Sequence, residues 1–173
     1  DHTIAFGSTK PIHTPGDILF LNSAFPKLDE ETQHSAKTPL CFGEGYARDV
    51  YATHSIFHIS AMSYGALSAP AIQALSGGAA KAGILLNTGE GGLAPFHLEG
   101  QCDLVFQIGT AKYGVRNTDG TLCDEKLREI AAHSSVKMFE IKLSQGAKPG
   151  KGGILPAEKV TEVIASTRGI PMG

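Results

Sequence analysis

The sequence is poor in cysteine, in net charge and in long apolar runs, and each shortage excludes a class of protein. Its three cysteines, Cys41, Cys102 and Cys123, lie far apart, so neither a CxxC pair nor a tight iron–sulfur run is present. This usage is typical of a reduced, cytoplasmic compartment. Fifteen Lys and Arg residues against 17 Asp and Glu residues give a net charge of −2, which predicts no nucleic-acid partner.

The first residues lack the features of a targeting segment. The chain starts at Asp1 without a Met, a basic region or an apolar core, and no apolar run approaches the roughly 20 residues of a membrane span. We therefore expect no signal peptide. The missing Met suggests that the sequence was excised from a longer protein. The sequence neither supports nor excludes a membrane tether upstream of Asp1.

Glycine, in contrast, is abundant. The 173 residues include 21 glycines, about 12%, against a usual value of roughly 7%. Many of them follow apolar segments, as in residues 89–92 and 146–153. Because glycine lets the backbone approach a ligand closely or adopt a positive φ, these runs are candidate binding loops.

The apolar pattern divides the chain near residue 54. Residues 1–54 contain several prolines and no helical period, and we interpret them as an irregular arm. From residue 55 onward, apolar runs alternate with helical patterns, which predicts a parallel α/β sheet. The predicted elements are strands at 56–62, 84–86, 103–109 and 136–143, helices from Ser68 to Gly83, from a cap at Asp124, and from Pro156 to near Gly169, and a turn at 117–120.

Three loops follow predicted strands, at the end of the sheet where β/α barrels gather catalytic groups. Residues 60–65 (SAMSYG) could lie flat against an aromatic ring system, or form a plain strand-to-helix turn. Residues 87–92 (NTGEGG) place Glu90 among glycines, where it could project into a cavity. A solvated surface turn is the weaker alternative for this loop, because flexibility alone does not require Asn and Thr beside a buried strand end.

The third loop, residues 142–153, begins with Lys142 at the end of an apolar strand. A cation in that place needs an anionic or electron-rich partner. The partner could be the edge of a flavin or a substrate carboxylate, and Lys148 could serve the other. An internal salt bridge to Glu90 or Glu140 is the structural alternative.

Two other ligand classes fit the sequence poorly. A phosphate-binding GxxxxGK[ST] loop fails in the third loop, because Gln145 stands in place of the first Gly and Gly152 in place of the Ser or Thr. The candidate metal ligands are His54, His58, His97, Glu99, Cys102 and Asp103. Histidines in such places are more often structural than metal-binding, so no metal site is predicted.

Three ordered motifs together resemble a known family. Residues 59–68 (ISAMSYGALS), 87–92 and 142–153 (KLSQGAKPGKGG) are similar to the central FMN-binding domain of glutamate synthases. They resemble more closely still the compact, stand-alone glutamate synthase-related proteins that bind FMN, and the arm from residues 6–8 to 20–22 is typical of that branch. The chain resembles the N-terminal portion of the domain.

The resemblance implies a TIM-type (β/α)8 barrel that is incomplete here, with an irregular arm over residues 1–54 and the first three or four β/α units over residues 55–173. It implies an oxidoreductase in which FMN serves to reduce 2-iminoglutarate, formed from 2-oxoglutarate and ammonia or glutamine-derived nitrogen, to L-glutamate. The implied FMN contacts are Ser60, Ala61, Met62, Ser63, Asn87, Lys142 and Gln145. The implied substrate contacts are Gly89, Glu90, Gly91 and Lys148, and the implied catalytic residues are Lys142 and Glu90.

The sequence departs from the large glutamate synthases in several ways. It has no N-terminal cysteine nucleophile and no closely spaced iron–sulfur cysteines, so nitrogen must come from elsewhere and an electron donor protein is unidentified. The later barrel strands, whose loops commonly hold phosphate, are missing, so we expect this polypeptide alone to be inactive and not to retain FMN. Two alternative functions are also compatible with the sequence: a transferase of N-methylglutamate or another amino group, and a binding module without turnover. Homo-oligomerisation is also compatible with it.

Overall fold

Strands and helices alternate along residues 39–144 and 155–172, which the computed structural model describes. The elements are β1 (Leu40–Phe42), β2 (Tyr51–Thr53), α1 (Ala69–Ala82), β3 (Leu86–Asn87), α2 (Pro95–Glu99), β4 (Leu104–Ile108), α3 (Asp124–Ala132), β5 (Val136–Ile141), a 3-10 turn (Ala157–Lys159) and α4 (Glu162–Arg168). The α/β class predicted from the sequence is confirmed. No helix in these ranges has the length and apolar character that a bilayer crossing requires.

Two small sheets differ in strand direction. β1 and β2 pair antiparallel, with Leu40 opposite Thr53. β3, β4 and β5 form a parallel sheet in that order, and a parallel bridge adds Ile59 beside Leu86. Four extended segments therefore lie side by side in chain order with their carboxyl ends at one edge. Within the described ranges they do not close into a barrel.

The core lies between the parallel sheet and helices α1 and α2. Ala79 of α1 is buried with Leu86, Cys102 and Leu104. Because each buried apolar Å² contributes roughly 25 cal/mol, this cluster anchors α1 to the amino half of the sheet. Partly buried side chains around it are Ile59, Met62, Leu75, Ile84, Leu93, Leu98 and Val136.

Helix α1 has the ends that its sequence predicts. Ser68 is the extended N-cap residue, although its side chain makes no capping bond, and a proline occupies the first turn. Gly83 adopts φ 63° and donates its N–H to the carbonyls of Ala79 and Ala80, a left-handed cap that favours glycine. The predicted turn at 117–120 is also confirmed, since the Gly120 N–H donates to the Asn117 carbonyl at 3.0 Å.

Helix α2 is a short element that the sequence analysis missed. Its five residues pack closely on α1, and a Cβ at Gly100 would overlap the Ser76 carbonyl carbon. The Ser76 hydroxyl donates to the Phe96 carbonyl at 3.2 Å, and the Gln73 amide donates to a Glu99 carboxylate oxygen at 2.6 Å. A helix of this length has too few periodic positions to be recognised, and its contacts with α1 define it.

Two corrections concern the region before α1. Residues 39–54, predicted to be irregular, contain the β1–β2 hairpin, while residues 1–38 lie outside the described ranges. The predicted buried strand at 56–62 starts later, because Ile56 and Phe57 are exposed and pairing begins where the Ile59 N–H donates to the Leu85 carbonyl at 2.9 Å. An apolar run shows that a segment is extended but not how much of it reaches the sheet.

Other boundaries shift by smaller amounts. The second strand covers Leu86–Asn87 rather than 84–86. Asp124 is the first residue of α3 and Cys123 is its N-cap. The last α-helix begins at Glu162 instead of Pro156, because the Thr161 hydroxyl caps it by accepting the Ile164 N–H at 3.4 Å.

Candidate functional site

The first two loops predicted to carry chemistry, and Lys142 at the start of the third, meet at the carboxyl edge of the parallel sheet. The Met62 N–H donates to the Asn87 carbonyl at 3.0 Å, which joins the first loop to the end of β3. Lys142 follows β5, and its Nζ lies 2.9 Å from the Oε2 of Glu90 in the second loop. Parallel strands bring these residues together because their carboxyl ends share one edge.

The Glu90–Lys142 ion pair spans the end of β4. Gly109 follows that strand and leaves room for the carboxylate, since a Cβ at Gly109 would lie 2.8 Å from the Glu90 Cβ and 3.0 Å from its Oε2. The side chains of Lys142 and Glu90 are 31% and 28% exposed. A pair this accessible to water contributes at most about 1 kcal/mol to stability, so a ligand group can replace either partner at little expense. The internal salt bridge considered for Lys142 is thus present.

The glycines of the second loop fit tightly against the first. Gly89 has φ 68°, and a Cβ there would lie 2.7 Å from the Ser63 nitrogen. A Cβ at Gly91 would lie 3.1 Å from the Ser63 Cβ. The buried Asn87 side chain accepts the Gly89 N–H at 2.9 Å. The two loops therefore hold each other in one shape, and a side chain at position 89 would separate them.

Two of the predicted flavin contacts, Ser60 and Asn87, line a cavity over the sheet face that carries Val105. This cavity of about 360 Å³ is bordered by Ser60 and Asn87 together with apolar side chains of β4 and β5. Ser60 and Ala61 are exposed, whereas the Met62 side chain packs against the core cluster. The first loop consequently offers backbone and small side chains, and not the methionine thioether, to a ligand.

A second cavity, of about 290 Å³, lies beside Glu90 and includes residues that the sequence analysis missed. The structure therefore divides the predicted site residues between two cavities, with Ser60 and Asn87 at one and Ser63 and Glu90 at the other. The polar and glycine positions that line the second cavity are Ser63, Gly65, Glu90, Tyr113, Lys159 and Arg168.

Arg168 is a buried cation at this second cavity. It is 8% exposed, its Nη2 donates to the Tyr64 carbonyl at 3.3 Å, and its guanidinium carbon lies 5.1 Å from the centre of the Tyr113 ring. Within the described ranges its buried Nε has no hydrogen-bond partner, and no carboxylate forms a salt bridge with it. Because an uncompensated buried cation is unfavourable, the cavity suits an anionic ligand.

Gly65 gives the guanidinium its space. Its φ is 103°, and a Cβ there would lie 2.8 Å from the Arg168 Nη2. The absence of a side chain at Gly65 in the first loop therefore makes room for Arg168 of the last helix. No local sequence pattern could reveal this relation. An arginine in the last turn of a helix usually faces water and interacts with the helix dipole, so the sequence contained no signal for its burial.

His97 connects helix α2 to the first loop. Its ring is fully buried, its Nδ1 accepts the Ala94 N–H at 3.1 Å, and its Nε2 lies 2.9 Å from the Met62 carbonyl oxygen. Burial lowers the pKa of His97 below 6.5, and the hydrogen bond to Met62 partly opposes this shift. The described ranges contain no group of three His, Cys, Asp or Glu side chains suited to a metal ion.

Two predicted contacts, Gln145 and Lys148, lie outside the described residues. The roles assigned to the other residues by resemblance stay predictions, although the structure places Met62, Glu90 and Lys142 at one edge. Gly109 could have been found by the rule that located the other loops, since it directly follows a strand. The roles of Arg168 and His97 could be recognised only from their tertiary contacts.

Sequence comparisons with known proteins identify the family of this chain. Residues 25–173 match the family described as the conserved region in glutamate synthase, and the chain belongs to that family. No solved structure is significantly similar to it.

Three relatives illustrate the range of similarity. The glutamate synthase large subunit-like protein YerD of Bacillus subtilis (strain 168) is 33% identical over 98% of this chain and 39% of its own length. The glutamate synthase large subunit-like protein of Rhizobium meliloti (strain 1021) is 30% identical over 96% and 35%. The Archaeal-type glutamate synthase (NADPH) of Dehalococcoides mccartyi is 41% identical over 66% and 20%. The chain thus spans two fifths or less of these relatives.

Proposed function

We propose that this chain carries part of the FMN site of an oxidoreductase that reduces 2-iminoglutarate, formed from 2-oxoglutarate and ammonia, to L-glutamate. One observation carries the proposal: the Glu90–Lys142 pair, 2.9 Å apart, lies at the carboxyl edge of a parallel sheet, and Glu90 also borders the cavity of the buried Arg168. The reaction class is supported by relatives named glutamate synthase.

The fold proposed for this function is a (β/α)8 barrel. The four parallel segments in chain order, Ile59 and strands β3 to β5, alternate with helices, as do the first units of such barrels. Barrels carry their catalytic groups in loops at the carboxyl ends of strands, and the candidate site occupies that edge. Residues 55–173 would then be the first part of the synthase domain.

The described residues are compatible with FMN, which supplies a hydride when it is bound and reduced. Ser60 and Ala61 present a small, exposed surface on which a flat ring could lie, and Asn87 borders the same cavity as Ser60. The ammonium group of Lys142 is proposed to stabilise the electron-accepting edge of the ring. Gln145, outside the described residues, is proposed to contact the same edge.

Arg168 is proposed to bind a carboxylate of 2-oxoglutarate. The dicarboxylate is doubly charged, and a buried guanidinium that has no acidic partner among the described residues can donate charge-assisted hydrogen bonds to it. Glu90 borders the same cavity and can accept a hydrogen bond from the imine nitrogen, which keeps that nitrogen protonated and its carbon electrophilic. Lys148 remains a proposed second carboxylate contact.

The role of Lys142 is testable in the complete purified protein. Flavin absorbance should bleach with a reductant and recover when 2-oxoglutarate and ammonia are added. Lys142→Met should slow the recovery by about 10²-fold or more, the usual effect of removing one preorganised electrostatic group. Lys137→Met is the matched control, because Lys137 contacts Asp103 at the other end of β5. Full activity of the Lys142 variant would remove this residue from the mechanism, and absence of flavin absorbance would refute the cofactor.

The role of Arg168 separates substrate binding from flavin chemistry. Arg168→Lys retains the charge but loses the bond to the Tyr64 carbonyl and the stacking on Tyr113. We expect the KM for 2-oxoglutarate to rise about 10- to 100-fold, since a charge-assisted hydrogen bond contributes about 1.5–3 kcal/mol, with a smaller change in kcat. Arg128→Lys on the exposed side of α3 is the control. An unchanged KM would show that this cavity does not take the substrate carboxylate.

A further inference from the structure

The hydrogen bonds of His97 define its tautomer. The ring nitrogen Nδ1 lies 3.1 Å from the Ala94 backbone nitrogen, which can only donate, so Nδ1 must be the acceptor. The other nitrogen, Nε2, must then carry the hydrogen that it donates to the Met62 carbonyl at 2.9 Å. The neutral imidazole satisfies two backbone groups, the Met62 carbonyl and the Ala94 N–H, that lie 32 residues apart along the chain. Water does not compete for either bond, because the ring is fully buried.

We propose that His97 is a positioning residue for the flavin site: its Nε2–H bond to the Met62 carbonyl fixes the shape of residues 60–65. This inference rests on the proposed function, because the first loop is the part of the chain expected to contact FMN. The histidine itself contacts backbone only and would act through the loop.

The bond from His97 acts at Met62, whereas the following residues of the loop have other partners: the Ser63 carbonyl accepts the Leu67 N–H at 3.0 Å and the Tyr64 carbonyl accepts from Arg168. Met62 donates its N–H to the Asn87 carbonyl at 3.0 Å, and its side chain packs on the core. Its carbonyl has left the sheet and needs another partner, which the His97 ring provides. The loop then touches Gly89 through the Ser63 nitrogen, so a displaced Met62 carbonyl would also move the loop that carries Glu90.

Two substitutions separate the two hydrogen bonds of the ring. His97→Asn places an amide oxygen near the position of Nδ1, so it can still accept the Ala94 N–H but cannot reach Met62. His97→Gln places an amide N–H near the position of Nε2, so it can still donate to the Met62 carbonyl while the bond to Ala94 is lost. Both variants are polar and similar in size, which makes each the control for the other.

Amide hydrogen exchange of the 173-residue chain without ligand is the first readout. In His97→Asn we expect the amides of Met62, Gly65 and Leu67 to exchange at least about tenfold faster than in the wild type. In His97→Gln these amides should stay within about twofold of the wild type, while the Ala94 amide exchanges faster. Equal exchange of the first loop in the two variants would overturn the proposal.

Two further measurements keep the inference falsifiable. Nitrogen-15 NMR of the wild-type imidazole should show a protonated Nε2 and an unprotonated Nδ1, and the opposite tautomer would overturn the proposal even if both variants unfold. In the complete protein, FMN affinity should fall in His97→Asn and recover in His97→Gln. If the wild type binds FMN and the two variants bind it equally, His97 does not position the flavin loop. If the wild type binds no FMN, the proposed function fails, whereas the exchange result still tests the contact.

Discussion

Two buried polar side chains hold the backbone of the first loop. His97 donates to the Met62 carbonyl and Arg168 donates to the Tyr64 carbonyl. Once the chain leaves the sheet after Ile59, its carbonyls need new partners, and these two residues provide them for Met62 and Tyr64. The histidine is neutral and satisfied by backbone, whereas the arginine retains a charge and an unpaired Nε within the described ranges. His97 is therefore suited to supporting the loop backbone, and Arg168 to binding a ligand.

The neutral state of His97 makes stability depend on pH. Burial lowers the pKa of the folded imidazole below its ordinary value of 6.5, so below about pH 6.5 the unfolded chain binds more protons than the folded chain. The free energy of unfolding should therefore fall as the pH drops, with a slope from this group of at most about 1.4 kcal/mol per pH unit. Urea unfolding between about pH 7.5 and 5.5 should show a shallower dependence in His97→Gln.

The exposed His133 supplies the comparison for this experiment. It lies at the C-terminal cap of α3, and His133→Gln is the control for the histidine-to-glutamine change itself. Equal slopes for wild type and His97→Gln would mean that the buried histidine does not contribute to acid sensitivity.

At the scale of elements, the contact between α1 and α2 positions His97. Helix α2 has only five residues, too few to be stable alone. Its close approach to α1 requires the absence of a side chain at Gly100, next to Ser76. Since α2 carries His97 beneath the first loop, the distance between two helices determines the position of a loop that lies at the edge of the sheet.

Gly100→Ala should therefore destabilise the fold. Gly100 has an ordinary backbone conformation, φ −74°, so the added methyl group acts through steric overlap with Ser76 and not through backbone strain. Overpacking of this kind costs about 1–3 kcal/mol, measurable as a lower urea midpoint. Gly78→Ala is the matched control inside α1, where a Cβ has open space, and it should stabilise by about 0.5–1 kcal/mol. A neutral Gly100→Ala would show that the two helices can separate without loss.

At the scale of the whole molecule, β5 is the edge strand of the described parallel sheet. Its last residue, Ile141, is 70% exposed, and Leu143, which follows the strand, is 85% exposed. An apolar edge with free backbone groups is a template for pairing with another chain. This property concerns association and not the chemistry of the site.

We expect the isolated 173-residue chain to self-associate through this edge. Ile141→Glu should lower the apparent mass in light scattering at a given concentration, because a charge at an edge opposes strand pairing. Ala132→Glu adds the same charge on the exposed end of α3 and should leave association unchanged. Equal effects of the two substitutions would attribute any change to net charge, and a wild type that stays monomeric would refute the expectation.

Local signals in the sequence were sufficient for elements with their own caps and periodicity. Helix α1 follows from Pro70, Gly83 and the spacing of its apolar residues, and the turn at 117–120 from its Asn, Asp and Gly residues. The same local rules failed where a boundary depends on coverage by other elements, as at Ile56 and Phe57. They also failed for α2, whose helical state depends on contact with α1.

By itself the sequence determined the alternation of strands and helices, the family, and the three loops in which a functional site had to be sought. These depend on residues close together in the chain, where propensity, capping and glycine act directly. Only the tertiary structure decided that Lys142 pairs with Glu90, that His97 holds the Met62 carbonyl, and that Arg168 reaches Tyr64 across 104 residues. Such contacts depend on which strand ends share an edge and which side chains are removed from water, and both are properties of the folded chain as a whole.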